Sequence, residues 1–401
     1  MNLRSGYPFW LVKNGLPFDY PKLEKSIKAD VVIMGGGISG ALVAYHLVNK
    51  GIDCMLVDSR TIGLGSTCAS TSLLQYEIDT PLLKLKDLVG LKHAVRSYQL
   101  CAESIKKIGL IADKIGFSEF EFKQSLYFAA IKKDINFLKD EFEIRKKHGF
   151  NVTYLNEKQI KSKFKFDAPS AILSKEGGTT NAYLFTHALL QYSIKKGLKV
   201  FDRIHIKKID HLQNGVDLTT ETGYSIKTKK LIYATGYEAV KYVDKKIVNL
   251  HSTFACISEQ ANEKAKFWKN DVLIWNTADP YLYMRTTKDR RILIGGRDEE
   301  FFDPEKRDEL LPQKIKQIIK DFNKVFPDIE FKTEFSWAGT FGATKDGLPF
   351  IGNYKKLPNS LFALGFGGNG ITFSLIAAEI LTDIILGKKN KDAEIFKFER
   401  V

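Results

Sequence analysis

Cysteine is scarce in this chain of 401 residues, and its pattern excludes more than it suggests. The four cysteines, Cys54, Cys68, Cys101 and Cys256, form no C-x-x-C pair and share no zinc-type spacing with histidine. A disulfide framework and a structural zinc site are therefore not expected, and the usage fits a reducing compartment. Long apolar runs are also missing: no window approaches the roughly 20 apolar residues that a spanning helix requires. The first thirty residues hold Pro8, Pro17, Pro21 and scattered charge without an apolar signal-type stretch, so a soluble, cytoplasmic protein is the expectation. Repeats and low-complexity tracts are absent too. The seven histidines, His46, His93, His148, His187, His205, His211 and His251, show no metal spacing, and no metal is expected.

What the chain does have is an ordinary globular composition, 44% hydrophobic and 27% charged, with enough length for two intertwined subdomains. Lys plus Arg number 61 against 47 for Asp plus Glu, a formal charge of +14. Such an excess can attract anionic ligands or nucleic acid. The lysines are spread along the chain, however, and no basic stripe interleaved with aromatics marks a nucleic-acid surface. A solvated basic surface is the expectation, with no nucleic-acid partner.

The informative stretch begins at Ala29. Residues Ala29–Met34 form a short apolar, β-branched run that reads as a buried strand. It leads into Gly35-Gly36-Gly37-Ile38-Ser39-Gly40, a G-x-G-x-x-G turn, then a helical pattern from Ala41 to about Asn49 and a second strand, Asp53–Val57, closed by Asp58. Gly35 permits the tight turn, Gly37 lets backbone approach a pyrophosphate, and Gly40 lets helix and strand pack closely. The helix start at Ile38 and Ser39 offers unsatisfied N–H groups and a positive dipole end to an anion. Asp58 stands where a carboxylate binds the ribose hydroxyls of an adenosine. Together these parts predict dinucleotide binding, with FAD and NAD both open. The segment from Ser59 and Arg60 through Ser66, Thr67 and Ser70 to Ser72 is small and hydroxyl-rich, suited either to lying along an extended cofactor or to forming a surface loop.

Several separated stretches, in one order and over nearly the whole chain, resemble the FAD-dependent oxidoreductases of the D-amino acid oxidase superfamily. They are VVIMGGGISGALVAYHL with Asp58, the GLGSTCAS loop, LIYATGY, YLYMRTTKDRRILIGG, WAGTFGATKDGLPFIG and LFALGFGGNGITFSLIAAEIL. The resemblance implies an α/β fold in which a Rossmann-type FAD-binding domain (25–85, 170–240 and 335–388) interleaves with an antiparallel β-sheet substrate domain (86–169 and 241–334), after an N-terminal extension, 1–24. It implies that Gly35, Gly37 and Gly40 meet the pyrophosphate, and that Asp58 meets the ribose. Ser66, Thr67 and Ser70 would line the path to the ring, and Ile206 would hold the adenine through its backbone. Ala234, Thr235 and Gly236 would turn beneath the cofactor, and Gly365, Gly367, Gly368, Asn369, Gly370, Ile371 and Thr372 would face the flavin. A glycine loop opening a helix near Ile371 also places N–H groups where a reduced ring carries negative charge.

The implied chemistry is oxidation of an amine C–N bond by hydride transfer to flavin N5, followed by hydrolysis of the imine, with oxygen or another carrier as acceptor. Amino acid oxidases of this superfamily clamp the substrate carboxylate with an arginine after a Trp-Ala-Gly-like segment. Here Phe341 falls in that place, in Trp337-Ala338-Gly339-Thr340-Phe341, which points to an amine rather than an α-amino acid. Tyr283 and Arg285, on the expected hairpin 281–287/290–296, are further substrate-lining candidates, Arg285 either as a relocated carboxylate anchor or as a structural residue. No cysteine stands near Thr344-Lys345-Asp346, so non-covalent FAD is expected. Ile294 falls where sarcosine oxidases carry an oxygen-activating lysine. An amino acid oxidase with a moved anchor, and a non-catalytic flavin-binding protein acting in a complex, remain the alternatives.

Overall fold

A computed structural model describes residues 1–244 and 246–400. Two sheets organise them. The first is built on the strand Ile27–Met34, whose last four residues are buried beside Cys54–Val57, Ser225–Tyr233 and Ser360–Leu364. The spatial order is Lys199–Phe201, Cys54–Val57, Ile27–Met34 and Ser225–Tyr233, and each of these neighbours pairs in parallel. Ser225–Tyr233 also carries Ser360–Leu364 in parallel and begins an antiparallel extension through Gly215–Thr220 to Ile206–Leu212. Central strands of this kind are apolar on both faces because helices cover them. The helices Ile38–Val48, Ala182–Ile194, Leu91–Ile115 and Gly370–Ile385 share one large core on this sheet.

The second sheet has nine strands, in the order Arg4–Gly6, Thr333–Thr344, Val248–Ser258, Ile292–Glu299, Leu282–Thr286, Leu273–Asn276, Ser125–Phe128, Ser170–Ser174 and Val152–Asn156. All pairs are antiparallel except Leu273–Asn276 with Ser125–Phe128. The helix Pro304–Val325 starts at Asp303, whose carboxylate accepts the N–H groups of Glu305 and Lys306 at 3.1 Å, with Pro304 in the first turn. Its Ile315, Ile318 and Phe322 pack on one face of the nine-stranded sheet, against Phe254, Cys256, Met284 and Ile294. The opposite face looks toward the first sheet.

This arrangement differs from the expected division in three places. Ser170–Ser174 pairs in the nine-stranded sheet, Thr333–Thr344 crosses residue 335 inside that same sheet, and Arg4–Gly6 from the N-terminal extension is its edge strand. A fully buried apolar strand carries the same pattern in a parallel or an antiparallel sheet, so composition does not assign it to one. Helix bounds differ as well. The helix after the glycine turn begins at Ile38, directly on that turn, rather than at Ala41. Leu82–Val89 and Leu91–Ile115 are two helices, separated at Gly90 with φ +80.

One buried ion cluster ties the helices to the wall that will matter below. The Arg145 guanidinium contacts Glu141 at 2.8 Å and Glu77 at 3.3 Å, with Tyr76, Tyr98 and Tyr127 around it at 5.6–5.8 Å. Glu141 in turn accepts the N–H groups of Leu82 and Leu83 at 2.9 Å, capping the helix Leu82–Val89. Among the described residues, no helix is long and apolar enough to cross a membrane. Removing one partner of a buried pair leaves an uncompensated charge. Arg145→Met is therefore expected to cost about 3–5 kcal/mol of stability in denaturant unfolding; an unchanged midpoint would contradict this role.

Candidate functional site

The glycine turn sets the geometry of the site. A Cβ at Gly40 would stand 1.8 Å from the Gly35 carbonyl oxygen, so only glycine lets the helix Ile38–Val48 start against the strand end. Gly35 itself has φ +119 and abuts the Ala234 carbonyl, which brings the turn at Ala234-Thr235-Gly236 alongside. Asp58 is fixed from both oxygens: Gly36 N donates to one at 2.5 Å and Arg60 N to the other at 2.7 Å. Burial pushes this carboxyl up, while the two backbone N–H groups pull it down.

A cavity of about 530 Å³ runs from this turn to the nine-stranded sheet. At one end it is lined by Gly35, Gly37, Ile38, Ser39, Asp58, Ser59, Arg60, Ile206, Ala234, Thr235 and Gly236. Ser66, Thr67 and Ser70 line its middle, and Gly365, Gly367, Gly368, Asn369, Gly370, Ile371 and Thr372 follow. Tyr283 and Phe341 line the wall contributed by the nine-stranded sheet. Two helix N-terminal ends converge here: Ser39 Oγ, in the first turn of one, lies 2.7 Å from Ser374 Oγ, one turn into the other. Both therefore present positive dipole ends to one elongated space.

The segment between the two sheets is held by its backbone carbonyls. Trp10 Nε1 donates to Ser70 O at 2.7 Å and Trp337 Nε1 to Ala69 O at 2.8 Å. Arg285 donates to Ser72 O at 2.8 Å, Thr180 O at 3.1 Å, Thr71 O at 3.3 Å and Thr286 O at 3.1 Å. The glycine loop is pinned similarly. Asn369 Nδ2 donates to Glu77 O at 2.8 Å and Gln75 O at 3.1 Å, and Asp79 accepts Gly368 N at 2.7 Å.

Two sequence candidates do not line the cavity. Gly40 acts through helix packing alone. Arg285 is buried off the cavity wall, with its Nε and Nη1 turned to backbone carbonyls, which favours the structural reading; burial lowers its guanidinium to about 10. Ile294 also points away: it sits opposite Cys256 and Met284 in the core under the helix Pro304–Val325, so the missing lysine there bears on nothing in the cavity. On that strand the neighbouring Gly295 faces Tyr283, whose hydroxyl would stand 2.3 Å from a Cβ there. Phe341 lies beside the His251 ring at 5.3 Å.

Sequence reasoning missed Asp79, Tyr281, Asp298 and Trp275, all of which line the cavity. Asp79 follows the hydroxyl-rich segment by only seven residues, which is the one signal that marks it. Asp298 stands just beyond the expected hairpin, where a break in pairing hides its direction.

The wall suits FAD. The Ser66 and Thr235 hydroxyls are buried and have no protein partner, the Asp58 carboxylate is oriented, and glycine backbone forms both ends. Residues 30–384 match the family described as DAO, FAD dependent oxidoreductase. The chain is 20% identical to glycine oxidase of Bacillus subtilis (strain 168), over 92% of this chain and 97% of that protein. It is 23% identical to gamma-glutamylputrescine oxidoreductase of Escherichia coli (strain K12), over 95% and 87%. The fold matches the crystal structure of L-proline dehydrogenase from P. horikoshii with a TM-score of 0.78 at 20% identity, covering 94% of this chain and 99% of that one.

Because Arg285 satisfies three carbonyls of the intersheet segment and its neighbour, Arg285→Gln is expected to cost about 2–3 kcal/mol in thermal or denaturant unfolding. It should leave any preference among substrates unchanged; a selective loss of carboxylate-bearing substrates would restore the anchor reading. The glycine turn, the oriented acid and a match over most of the sequence agree: the chain belongs to the DAO family of FAD-dependent oxidoreductases.

Proposed function

We propose that this flavoenzyme oxidises the C–N bond of an amine that lacks an α-carboxylate. Bound FAD supplies the acceptor for a hydride equivalent from the carbon next to nitrogen, and the imine released is hydrolysed by water. In this reading Asp58 holds the ribose, the turns at Gly35–Ser39 and Ala234–Gly236 flank the pyrophosphate, and Ser66, Thr67 and Ser70 lead to the ring. Gly367–Thr372 lie along the ring with the second helix N-terminus, where negative charge is stabilised. FAD is held non-covalently. The chain's remaining task is to position a neutral amine, and this requires no strong base.

The observation that carries the reading is the charge of the wall. Among the described residues lining the cavity, the Arg and Lys side chains are Arg60 and Lys241, and both pair with Glu238, at 2.7 and 3.4 Å, beside the Asp58 end. Facing the substrate are instead the phenyl ring of Phe341, tyrosines and carboxyl groups. A phenyl ring cannot replace the bidentate guanidinium that a carboxylate requires. Arg285, already engaged, does not supply it.

Anaerobic mixing of the FAD-loaded protein with alkylamines, N-methylated amines and α-amino acids tests this by bleaching of the flavin bands. Amines are expected to bleach faster at equal concentration, and turnover on α-amino acids alone would overturn the reading. Readmission of air then tests oxygen as acceptor. Phe341→Arg is expected to improve kcat/KM for α-amino acids over the matching amines by about tenfold or more, the worth of one charge-assisted hydrogen bond. No change in that ratio would remove Phe341 from substrate selection.

A further inference from the structure

The break in pairing beyond the hairpin has a purpose that the fold alone does not require. Along the neighbouring strands, Phe254 lies opposite Gly296, yet Ser252 lies opposite Glu299. Two residues, Arg297 and Asp298, thus stand against Thr253 alone. This is a β-bulge, the device that redirects a side chain at the edge of a site. Gly296 and Arg297 both have positive φ, +139 and +58, and Arg297 is held in place by Asp321 of the helix Pro304–Val325, its Nε 2.7 Å from the carboxylate. Such a conformation is strained in a non-glycine residue and persists only where its surroundings hold it. Its consequence is that Asp298 turns to the cavity side of the sheet.

There the Asp298 Oδ1 is shielded from solvent and, among the described residues, has no hydrogen-bond partner. Asp79 lines the same cavity and is already held by Gly368 N at 2.7 Å and approached by Tyr281 Oη at 3.4 Å. Rings complete the surroundings: Tyr281 lies 5.8 Å from Tyr283 and 6.3 Å from Trp275. Carboxylate and aromatic faces together recognise an organic cation. A nitrogen in contact with a carboxylate is favoured in its charged form. The nitrogen being oxidised must be neutral. A carboxylate-bound nitrogen is therefore poorly placed to react, and a substrate satisfies both demands only if it carries two.

Resting on the amine-oxidation reading, we propose that Asp298, with Asp79 and the Trp275, Tyr281 and Tyr283 rings, binds the second, non-reacting ammonium of a diamine and so determines substrate specificity. Burial pushes the Asp298 carboxyl up to about 7. Asp79 and Asp279 push it the same way, whereas the Thr253 hydroxyl and the Lys314 ammonium, itself paired with Glu299, pull it down. An aliphatic ammonium stays charged well above that pH. Preference for a diamine accordingly rises as pH increases through about 7, where Asp298 ionises.

Two measurements on the FAD-loaded enzyme test this. In the first, anaerobic bleaching compares α,ω-diamines with monoamines of equal chain length, in the wild type and in Asp298→Asn and Asp298→Glu. The wild type is expected to prefer the diamine by about tenfold or more in kcat/KM, the Asn variant to lose that preference, and the Glu variant to recover part of it. Equal rates on the two amine classes, or an Asn variant with the preference intact, would overturn the proposal and leave amine oxidation standing. In the second, calorimetry follows benzyltrimethylammonium, a cation with no N–H to oxidise. Binding weakened about tenfold or more by Asp298→Asn, with FAD content and melting temperature unchanged, supports the cation site even where no amine bleaches the flavin. Binding unaffected by the substitution overturns it.

Discussion

Four backbone carbonyls, from Ala69 to Ser72, and the donors that hold them, fix how the two sheets face one another. The segment leaves the first sheet after Asp58 and has no ladder of its own until Leu73–Gln75 pairs with Gly177–Thr180. Its carbonyls are claimed by Trp10, Trp337 and Arg285, two of which sit on strands of the nine-stranded sheet or their continuation. Buried backbone groups must find partners, and three long side chains reaching across the gap supply them. The space left beside this bridge is the cavity. Arg285, a buried cation off the cavity wall, is part of that frame.

From that frame the chemistry divides along the cavity. At the Rossmann end, two helix N-termini, glycine backbone and one oriented carboxylate suit a dinucleotide with negative phosphates and a ribose diol. At the other end the wall is contributed by the antiparallel sheet, where side chains alternate between faces and each strand offers one residue in two. Tyr283 faces the cavity, its ring lying over Gly295, while Ile294 and Met284 face the core. The positions that turn inward include the rings of Tyr283 and Phe341 and the carboxyl of Asp298, on which the proposed selectivity rests.

The legible part of the sequence is the part governed by local rules. A strand, a glycine turn, a helix and a terminal acid follow one another within thirty residues, and each has a steric or electrostatic reason readable from residue type. Phe341 was legible because a tryptophan-led segment fixes its place on a strand. The strand Ser170–Ser174 falls in the other sheet because a short, mostly buried strand looks alike in either, and only its partner Ser125–Phe128 distinguishes them. Arg285 was ambiguous because its partners are carbonyls of residues over one hundred positions away. Asp298 was invisible because its direction depends on a bulge, and a bulge breaks the period of two on which strand reading rests.

One cavity, framed by the Ala69–Ser72 bridge, is suited to take FAD lengthwise between the two sheets. Diffraction from crystals grown with FAD tests it most directly. The account predicts the adenosine ribose on Asp58, the pyrophosphate between the turns at Gly35 and Ala234, and the isoalloxazine beside Gly367–Gly370 with Phe341 and Asp298 across from it. Electron density for the dinucleotide in the reverse direction, or for a ring lodged away from the nine-stranded sheet, would contradict it.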